Sequence, residues 1–324
     1  MPSDSMVSNT NKLPKGLICP LVTPLKMGDV LDLAALERLI AHVGTAADAI
    51  LIGDAIWGEG LALSAETRLK LTCATLEIAQ GKWPIFITIT SDTPEATRAL
   101  LANSESFLER LGYPGIVFWV DYPIYYHSNR GLPQFYAAMA RDTQIPLILG
   151  NHPELTRKPG RRIKHKNIRT SVLKKLSKID RIQGLVFTGS LKRSINYHKA
   201  VRRRPGFVFY DGDEAAFIRQ PSSDGVVAGG SNLLPGTWRE IAESCLNRYE
   251  VQQQYPDHVS QIWEKGAMVQ EFYNLYAANP AAVMKRMLHV AGLLPNAQTA
   301  SSTPLTDKSQ NESIEAICGK YDLI

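Results

Sequence analysis

Polar side chains that can move protons follow most of the apolar runs in this 324-residue sequence. His152 is the most versatile, because an imidazole changes charge near neutral pH and also binds metals. Paired with Asp54 or Asp213, it would form an acid/base pair or part of an oxygen–nitrogen metal site. The sequence has no HxH, HExxH or paired-carboxylate spacing, which favours the simpler interpretation that His152 fixes a loop. We therefore predict no metal site and no cofactor.

The candidate pocket combines His152 with other side chains that follow apolar runs. Trp57 either walls this pocket or plugs it, and the plug is favoured because large aromatic side chains mostly bury area. Glu59 is expected to orient a loop, and Asp213 to cap a helix. The predicted pocket residues are Asp54, Ile56, Trp57, Glu59, Tyr125, Tyr126, Asn151, His152, Thr188 and Asp213.

The elements that must position these residues alternate between strand and helix patterns. Strand-length apolar runs lie at 16–22, 49–53, 84–88, 115–120, 145–150, 182–187, 207–210 and 225–228. Helical periodicity lies at 33–43, 65–79, 94–111, 132–142, 171–178, 191–201, 214–219 and 237–246. Eight strand–helix units predict an α/β fold, a (β/α)8 TIM barrel with additional C-terminal helices. A doubly wound sheet is the alternative, weakened because no GxGxxG follows the first strand.

The domain boundaries follow from these patterns. Residues 1–13 are predicted to be a flexible N-terminus without an apolar leader, and residues 14–247 to form the barrel. Residues 248–295 are predicted to be a helical region. Residues 296–324, rich in Ser, Thr, Asn and Gln, are predicted to form a mobile tail.

Composition limits the class of protein and its location. With 44% apolar and 21% charged residues, the chain is an ordinary globular protein rather than a disordered one. No run of 18 apolar residues exists, so no membrane partner is expected. Four scattered cysteines without CxxC spacing favour the reducing cytoplasm.

The net charge of +5 conceals a strongly basic block. Residues 157–204 contain 17 Lys and Arg residues and one acid, Asp180, while the rest of the chain has 19 basic and 30 acidic residues. A solvated helix surface is the favoured interpretation, and an anionic ligand or acidic partner is the alternative. Nucleic acid is not an expected partner, because no aromatic interleaving or nucleic-acid motif accompanies the charge. The segment from Arg157 to Lys166 is predicted to be an exposed loop at the barrel mouth, because Pro159-Gly160 prevent a continuous helix.

Several segments resemble one enzyme family in order and spacing. GLICPLVTPL and DLAALERLIAHV are similar to the start of the dihydrodipicolinate synthase / N-acetylneuraminate lyase family. GEGLALSAETR, DYPIYYHSNRGLPQFYAAMA, LGNHP, YDGDEAAF and DGVVAGGSNLLP continue the similarity through about residue 295.

This resemblance implies a TIM barrel with class I aldolase chemistry on pyruvate or a related 2-oxo acid. A lysine ending strand six forms a Schiff base with the keto carbon, and a tyrosine ending strand five relays protons. A hydroxyl pair before Gly-Glu, after strand two, holds the carboxylate. A homo-oligomer, tetramer or dimer, is also implied.

The chain departs from this pattern at each position that touches substrate. Val186 takes the place of the lysine, Gly150 that of the tyrosine, and Ile56-Trp57 that of the hydroxyl pair. Tyr125 and Tyr126 match the family's tyrosine pair. The nearest lysine, Lys192, lies inside the following helix.

We therefore predict a lyase-type family member that acts on a small 2-oxo acid or related anion and lacks the Schiff-base lysine. The alternative is a catalytically inactive pseudoenzyme that binds a small ligand or a partner protein. A third hypothesis is a working aldolase that uses Lys192. An open, polar strand-end pocket would favour an enzyme, and one filled by Trp57 and Phe187 would favour the pseudoenzyme.

Overall fold

Eight parallel strands close into a barrel in the computed structural model, which describes residues 12–155, 165–221, 223–246 and 255–323. Each strand pairs with its sequence neighbours, and the last pairs with the first. The strands are β1 Gly16–Pro20, β2 Ala49–Ile52, β3 Ile85–Thr88, β4 Val117–Asp121, β5 Leu147–Asn151, β6 Ile182–Phe187, β7 Val208–Asp211 and β8 Gly225–Val227. The predicted TIM barrel is confirmed.

Helices cover the outside of the barrel and extend the chain beyond it. The helices are α1 Leu33–Val43, α2 Ala65–Ala79, α3 Pro94–Leu111, α4 Leu132–Asp142, α5 Thr170–Leu176, α6 Leu191–Val201, α7 Glu214–Arg219, α8 Pro235–Cys245, α9 Tyr255–Tyr276, α10 Pro280–Val290 and α11 Lys308–Lys320. Two short 3₁₀ turns lie at Pro123–Tyr125 and Gly229–Asn232, and a small hairpin pairs Leu25–Lys26 with Val30–Leu31. Several helix starts follow capping chemistry: Asp32, for example, accepts a hydrogen bond from the N–H of Ala35.

Side chains fill the barrel rather than leaving a channel. Phe86 and Phe118 meet edge to face with ring centroids 5.1 Å apart, and Tyr210 meets Phe86 at 5.7 Å. The interior cluster also contains Leu13, Ile18, Ala49, Leu51, Val120, Tyr122, Ile148, Val186, Val208 and Val227. Because alternate strand residues point inward, this interior set is distinct from the one packed beneath the helices.

The C-terminal residues correct the prediction of a mobile tail over 296–324. Helix α11 begins at a capping box formed by Asp307 and Gln310, and Ile314, Ile317 and Cys318 are buried. Their spacing of three and four residues places these side chains on one face, which packs against α9 and α10. Because residues 296–324 are mostly polar, this short apolar stripe is not evident from their composition. Burying each isoleucine contributes roughly 1.5–3 kcal/mol.

The N-terminal boundary also shifts slightly. Residues 1–11 lie outside the described residues, but Leu13 is buried in the barrel interior beside Gly184. Leu13 therefore belongs to the barrel rather than to the predicted N-terminal segment. Most of the predicted basic loop, residues 156–164, also lies outside the described residues.

Candidate functional site

Val186 and Gly150 lie side by side on neighbouring strands at the carboxyl end of the barrel. They are register partners between β6 and β5, and Val186 belongs to the interior cluster at 3% exposure. Val186, the residue that the resemblance aligns with the lysine, therefore points into the barrel. Among the described residues, the buried lysine is Lys285, which pairs with Glu59. Lys192 lies in the first turn of α6 and is exposed.

The ring of Tyr122 occupies the space beside Gly150. A Cβ atom added to Gly150 would lie 2.2 Å from a carbon of this ring, so no larger residue fits without movement. Tyr122 follows Phe118 and Val120 in the inward-facing alternation of β4. The structure thus places a phenol from the end of β4 where the resemblance implies a phenol from β5.

Tyr122 reaches Asp54 at the end of β2. Its hydroxyl donates to Asp54 Oδ1 at 3.2 Å, while Asp54 Oδ2 accepts the N–H groups of Ile56 and Trp57 at 2.9 Å each. Burial, and then the carboxylate of Asp54, raise the pKa of the Tyr122 phenol well above its usual value. Tyr122 is therefore a proton donor in this pair, and Asp54 organises the loop after β2.

Trp57 packs outside the barrel interior, against the turn after β8 and against α9. Its ring lies so close to Gly229 that a Cβ atom there would sit 2.1 Å from it, and it meets Tyr276 edge to face at 5.1 Å. Phe187, by contrast, faces outward against Tyr197, with ring centroids 5.3 Å apart. Of the two outcomes that the sequence left open, neither an open polar pocket nor filling by Trp57 and Phe187 is found: both side chains pack with the outer cluster, and Tyr122 lies in the interior.

Glu59 lies behind this loop in a buried ion pair. Its carboxylate pairs with the ammonium of Lys285, which also donates to the carbonyl of Gln298 at 2.9 Å. Its other oxygen accepts the N–H of Ala300 at 2.8 Å. Glu59 therefore fastens the β2 loop to the C-terminal segment and does not enter the pocket.

Tyr126 points away from the mouth into a buried polar cluster around Asp121. The carboxylate of Asp121 accepts the hydroxyls of Tyr126 and Tyr136 at 2.6 Å each, and that of Thr90 at 2.8 Å. Arg68 donates a hydrogen bond to the carbonyl of Thr90, just after β3, at 2.7 Å. Burial raises the pKa of Asp121, and the three hydroxyl hydrogen bonds oppose the rise.

Three other predicted residues make contacts that hold local structure. Asn151 accepts from the N–H of Ile168 at 2.9 Å and donates to the carbonyl of Thr188 at 3.1 Å, which fixes the connection between β5 and α5. Asp213 caps α7. Tyr125, on the far side of the β4 turn, bonds Asp92 at 3.2 Å.

His152 is the predicted residue that retains an unused polar atom at the mouth. Its Nδ1 is buried without a hydrogen-bond partner among the described residues. Burial lowers the pKa of the imidazole, while the nearby carboxylates of Asp54, Glu154 and Asp213 raise it. The structure thus brings His152 near both predicted acid/base partners, without a direct hydrogen bond to either.

Three side chains at the mouth are almost completely buried. Asp54, Tyr122 and Val186 expose between 2% and 5% of their surface. No group of three or more His, Cys, Asp or Glu residues in the described part of the chain has an arrangement suited to a metal. The sequence analysis missed Tyr122, although its position two residues beyond Val120 was the available signal.

Glu214, beside the mouth, provides a pH-dependent contact. Its carboxyl accepts the N–H of Gly230 at 2.9 Å and the hydroxyl of Tyr276, and burial raises its pKa to about 7. Since the native state binds this proton more tightly than the unfolded chain, its contribution to stability is full below about pH 4.5. That contribution is lost as the pH rises through about 7.

The variant Glu214→Gln lacks this titrating carboxyl. The unfolding free energy of wild type minus that of the variant should therefore fall as the pH rises. We expect a decrease on the order of 3 kcal/mol between pH 4.5 and pH 8, measured by urea denaturation at several pH values. Asp180→Asn, which alters an 89%-exposed carboxylate, is the control. Parallel pH profiles for wild type and Glu214→Gln would contradict the assignment.

A family model places these features among known proteins. The model described as the dihydrodipicolinate synthetase family matches residues 13–317. A curated relative, the 4-hydroxy-tetrahydrodipicolinate synthase of Shewanella frigidimarina, is 26% identical over 303 residues, covering 91% of this chain and 93% of the relative. The similarity therefore runs through the barrel and the helices that follow it.

Solved structures share the same fold. Dihydrodipicolinate synthase from Thermotoga maritima matches with a TM-score of 0.78 at 19% identity, covering 96% of this chain and 99% of the other. A dihydrodipicolinic acid synthase family protein of E. coli K12, solved in complex with pyruvate, matches with a TM-score of 0.79 at 16% identity, with the same coverage. At these identities the likeness concerns the fold.

Proposed function

Because this chain belongs to the dihydrodipicolinate synthetase family, whose named relatives are lyases, we propose that it is a pseudoenzyme that has lost Schiff-base chemistry. The observation that carries this proposal is the composition of the mouth. Val186 is the residue that the resemblance aligns with the lysine, and Tyr122 lies across the space beside Gly150. An aliphatic side chain cannot form an imine, and the buried Tyr122 ring leaves little room for a substrate beside it.

A second candidate is a lyase-type protein that holds a small 2-oxo acid or related anion without a covalent bond. The Tyr122–Asp54 pair favours it, because a protonated phenol beside a carboxylate supplies a proton donor and a proton acceptor. The unpartnered Nδ1 of His152 offers one more polar contact. Both candidates exclude an imine, so they differ in whether the mouth binds the acid at all.

The test is incubation with pyruvate and borohydride, followed by intact-mass measurement. We expect no adduct on wild type, because the buried lysine among the described residues, Lys285, is held by Glu59 and the carbonyl of Gln298. Val186→Lys should also remain unmodified while Tyr122 fills the mouth, and Val186→Lys/Tyr122→Ala should gain one reduced pyruvyl group. Circular dichroism verifies that each variant is folded.

Two results would change the proposal. An adduct on any lysine of the wild-type chain, Lys192 included, would contradict the loss of Schiff-base chemistry. Calorimetric binding of pyruvate to wild type without an adduct would favour the second candidate over the first.

Assembly and location stay proposals of the same kind. We propose a homo-oligomer, tetramer or dimer, as the family resemblance implies, which light scattering after size exclusion measures. A cytoplasmic location is supported by the four cysteines, all of which are free. No helix within the described ranges is long and apolar enough to cross a membrane.

A further inference from the structure

Helices α5 and α6 pack side by side and present a strongly cationic surface, which we call the α5–α6 basic face. The face lies outside the barrel mouth and is made of side chains that point to solvent from both helices and their flanking turns. Its exposed cations are Lys174, Lys175, Lys178, Lys192, Lys199, Arg202 and Arg203.

The charge of this face is not neutralised by the protein itself. None of these seven cations lies within 4.0 Å of a carboxylate among the described residues. The one acid in the block, Asp180, pairs with Arg204 at 2.9 Å. Elsewhere on the surface, cations such as Lys70 and Lys320 have acidic partners at 2.6–2.7 Å. A face of unpaired cations raises the local concentration of anionic groups.

Two large aliphatic side chains lie within this face. Leu191 and Ile195 are 48% and 44% exposed, although both belong to a helix that buries its opposite side. Leu191, Ile195, Lys199 and Arg202 follow each other at spacings of four, four and three residues, so they form one stripe along α6. The stripe therefore combines an apolar end with a cationic end.

We propose that the α5–α6 basic face docks an acidic protein segment whose aliphatic side chains contact Leu191 and Ile195. Charge complementarity selects this occupant. A second copy of the chain, paired about a two-fold axis on this stripe, would set like charges against each other. The proposal concerns a surface outside the mouth and does not depend on what the mouth binds.

Other anionic partners fit the face less well. Single-stranded nucleic acids gain affinity by stacking on exposed rings, and the nearest aromatic side chains, Tyr197 and Phe207, are buried. Membrane-bound helices bury a broad apolar face, whereas this face offers two aliphatic side chains. An acidic segment with spaced aliphatic residues satisfies both components of the stripe.

Fluorescence anisotropy with four probes tests the proposal. The probes are a 20-residue helical peptide of Glu, Ala and Leu with leucines four residues apart, its Leu→Ala counterpart, a 20-nucleotide single-stranded DNA, and phosphatidylserine vesicles. We expect the leucine peptide to bind wild type roughly tenfold more tightly than the other three, with an affinity that falls as salt increases.

Three variants separate the contributions on the full chain. Lys192→Glu/Lys199→Glu/Arg202→Glu should lose roughly tenfold or more in affinity for the leucine peptide. Leu191→Ser/Ile195→Ser should bind both peptides equally. The control, Arg38→Glu/Arg110→Glu/Arg141→Glu, makes the same charge change at exposed positions of α1, α3 and α4, and should stay within about twofold of wild type.

Several outcomes would overturn the proposal. If the control variant lost as much affinity for the leucine peptide as the Lys192, Lys199 and Arg202 variant, the face would attract anions only in a general way. Equal binding of the two peptides by wild type would lead to the same conclusion. Tighter binding of DNA or vesicles would assign it to those partners. Dissociation of an oligomer by Leu191→Ser/Ile195→Ser, measured by light scattering, would identify it as a contact between copies of this chain.

Discussion

Replacing Glu59 by Gln should lower the free energy of unfolding by about 3–5 kcal/mol, because it leaves the ammonium of Lys285 buried without its anion. Lys285 has no exposed surface, and its other described hydrogen bond goes to the carbonyl of Gln298. Burial already lowers the pKa of Lys285, and Glu59 opposes this shift. Without Glu59, the neutral amine is favoured further, so the loss of stability should be smaller at pH 9 than at pH 6.

The double variant Glu59→Gln/Lys285→Met isolates the interaction between the two charges. It should be destabilised by less than the sum of the single variants, because neither charge is left buried alone. The matched control is the exposed pair of Glu66 and Lys70 on α2, 2.6 Å apart, where Glu66→Gln should leave the free energy of unfolding nearly unchanged. Urea denaturation measures all variants, and a Glu59→Gln effect as small as that of Glu66→Gln would contradict the role of the pair.

Returning a tyrosine to β5 should fail unless Tyr122 is removed at the same time. Gly150→Tyr places a Cβ atom 2.2 Å from the Tyr122 ring, and overpacking of this kind costs about 1–3 kcal/mol or more. Tyr122→Ala alone should cost about 3–5 kcal/mol, because it leaves a cavity among buried side chains. In Gly150→Tyr/Tyr122→Ala, the new ring fills that cavity, and the phenol again lies near Asp54.

We therefore expect the double variant to be more stable than the sum of the two single changes by several kcal/mol. A double-mutant cycle of unfolding free energies measures this coupling. Gly236→Tyr is the control, since a Cβ atom there meets nothing within 4 Å, and it should change stability by less than about 1 kcal/mol. Additive effects at Gly150 and Tyr122 would show that the two positions do not share one space.

The sequence alone determined the order and type of the elements around the barrel. Apolar strand runs and 3.6-residue periodicity predicted each of the eight strands, and helices such as α2, α3 and α4 with matching bounds. These features could be predicted because they depend on local spacing and on burial of a whole face. The small hairpin after β1 was missed, since two-residue strands carry no periodic signal.

At the site, the sequence predicts which residue types are missing, and this stays a prediction. Val186 and Gly150 could be assigned to their positions from the order of motifs, and Asp213 to a helix cap from its turn. The space beside Gly150 could not be assigned, because Tyr122 is 28 positions away and comes from another strand. A tyrosine placed at Gly150 from the sequence alone would collide with the ring of Tyr122, which the fold already places there.

Only the tertiary structure decided which polar groups pair. Glu59 and Lys285 are separated by 226 positions, and nothing in the sequence pairs the two. The same holds for Glu214 with Tyr276, and for the polar C-terminal segment whose few apolar residues pack on α9 and α10. Local patterns determine the elements because they depend on neighbours in the chain, whereas a buried charge is stable only where folding brings its partner within bonding distance.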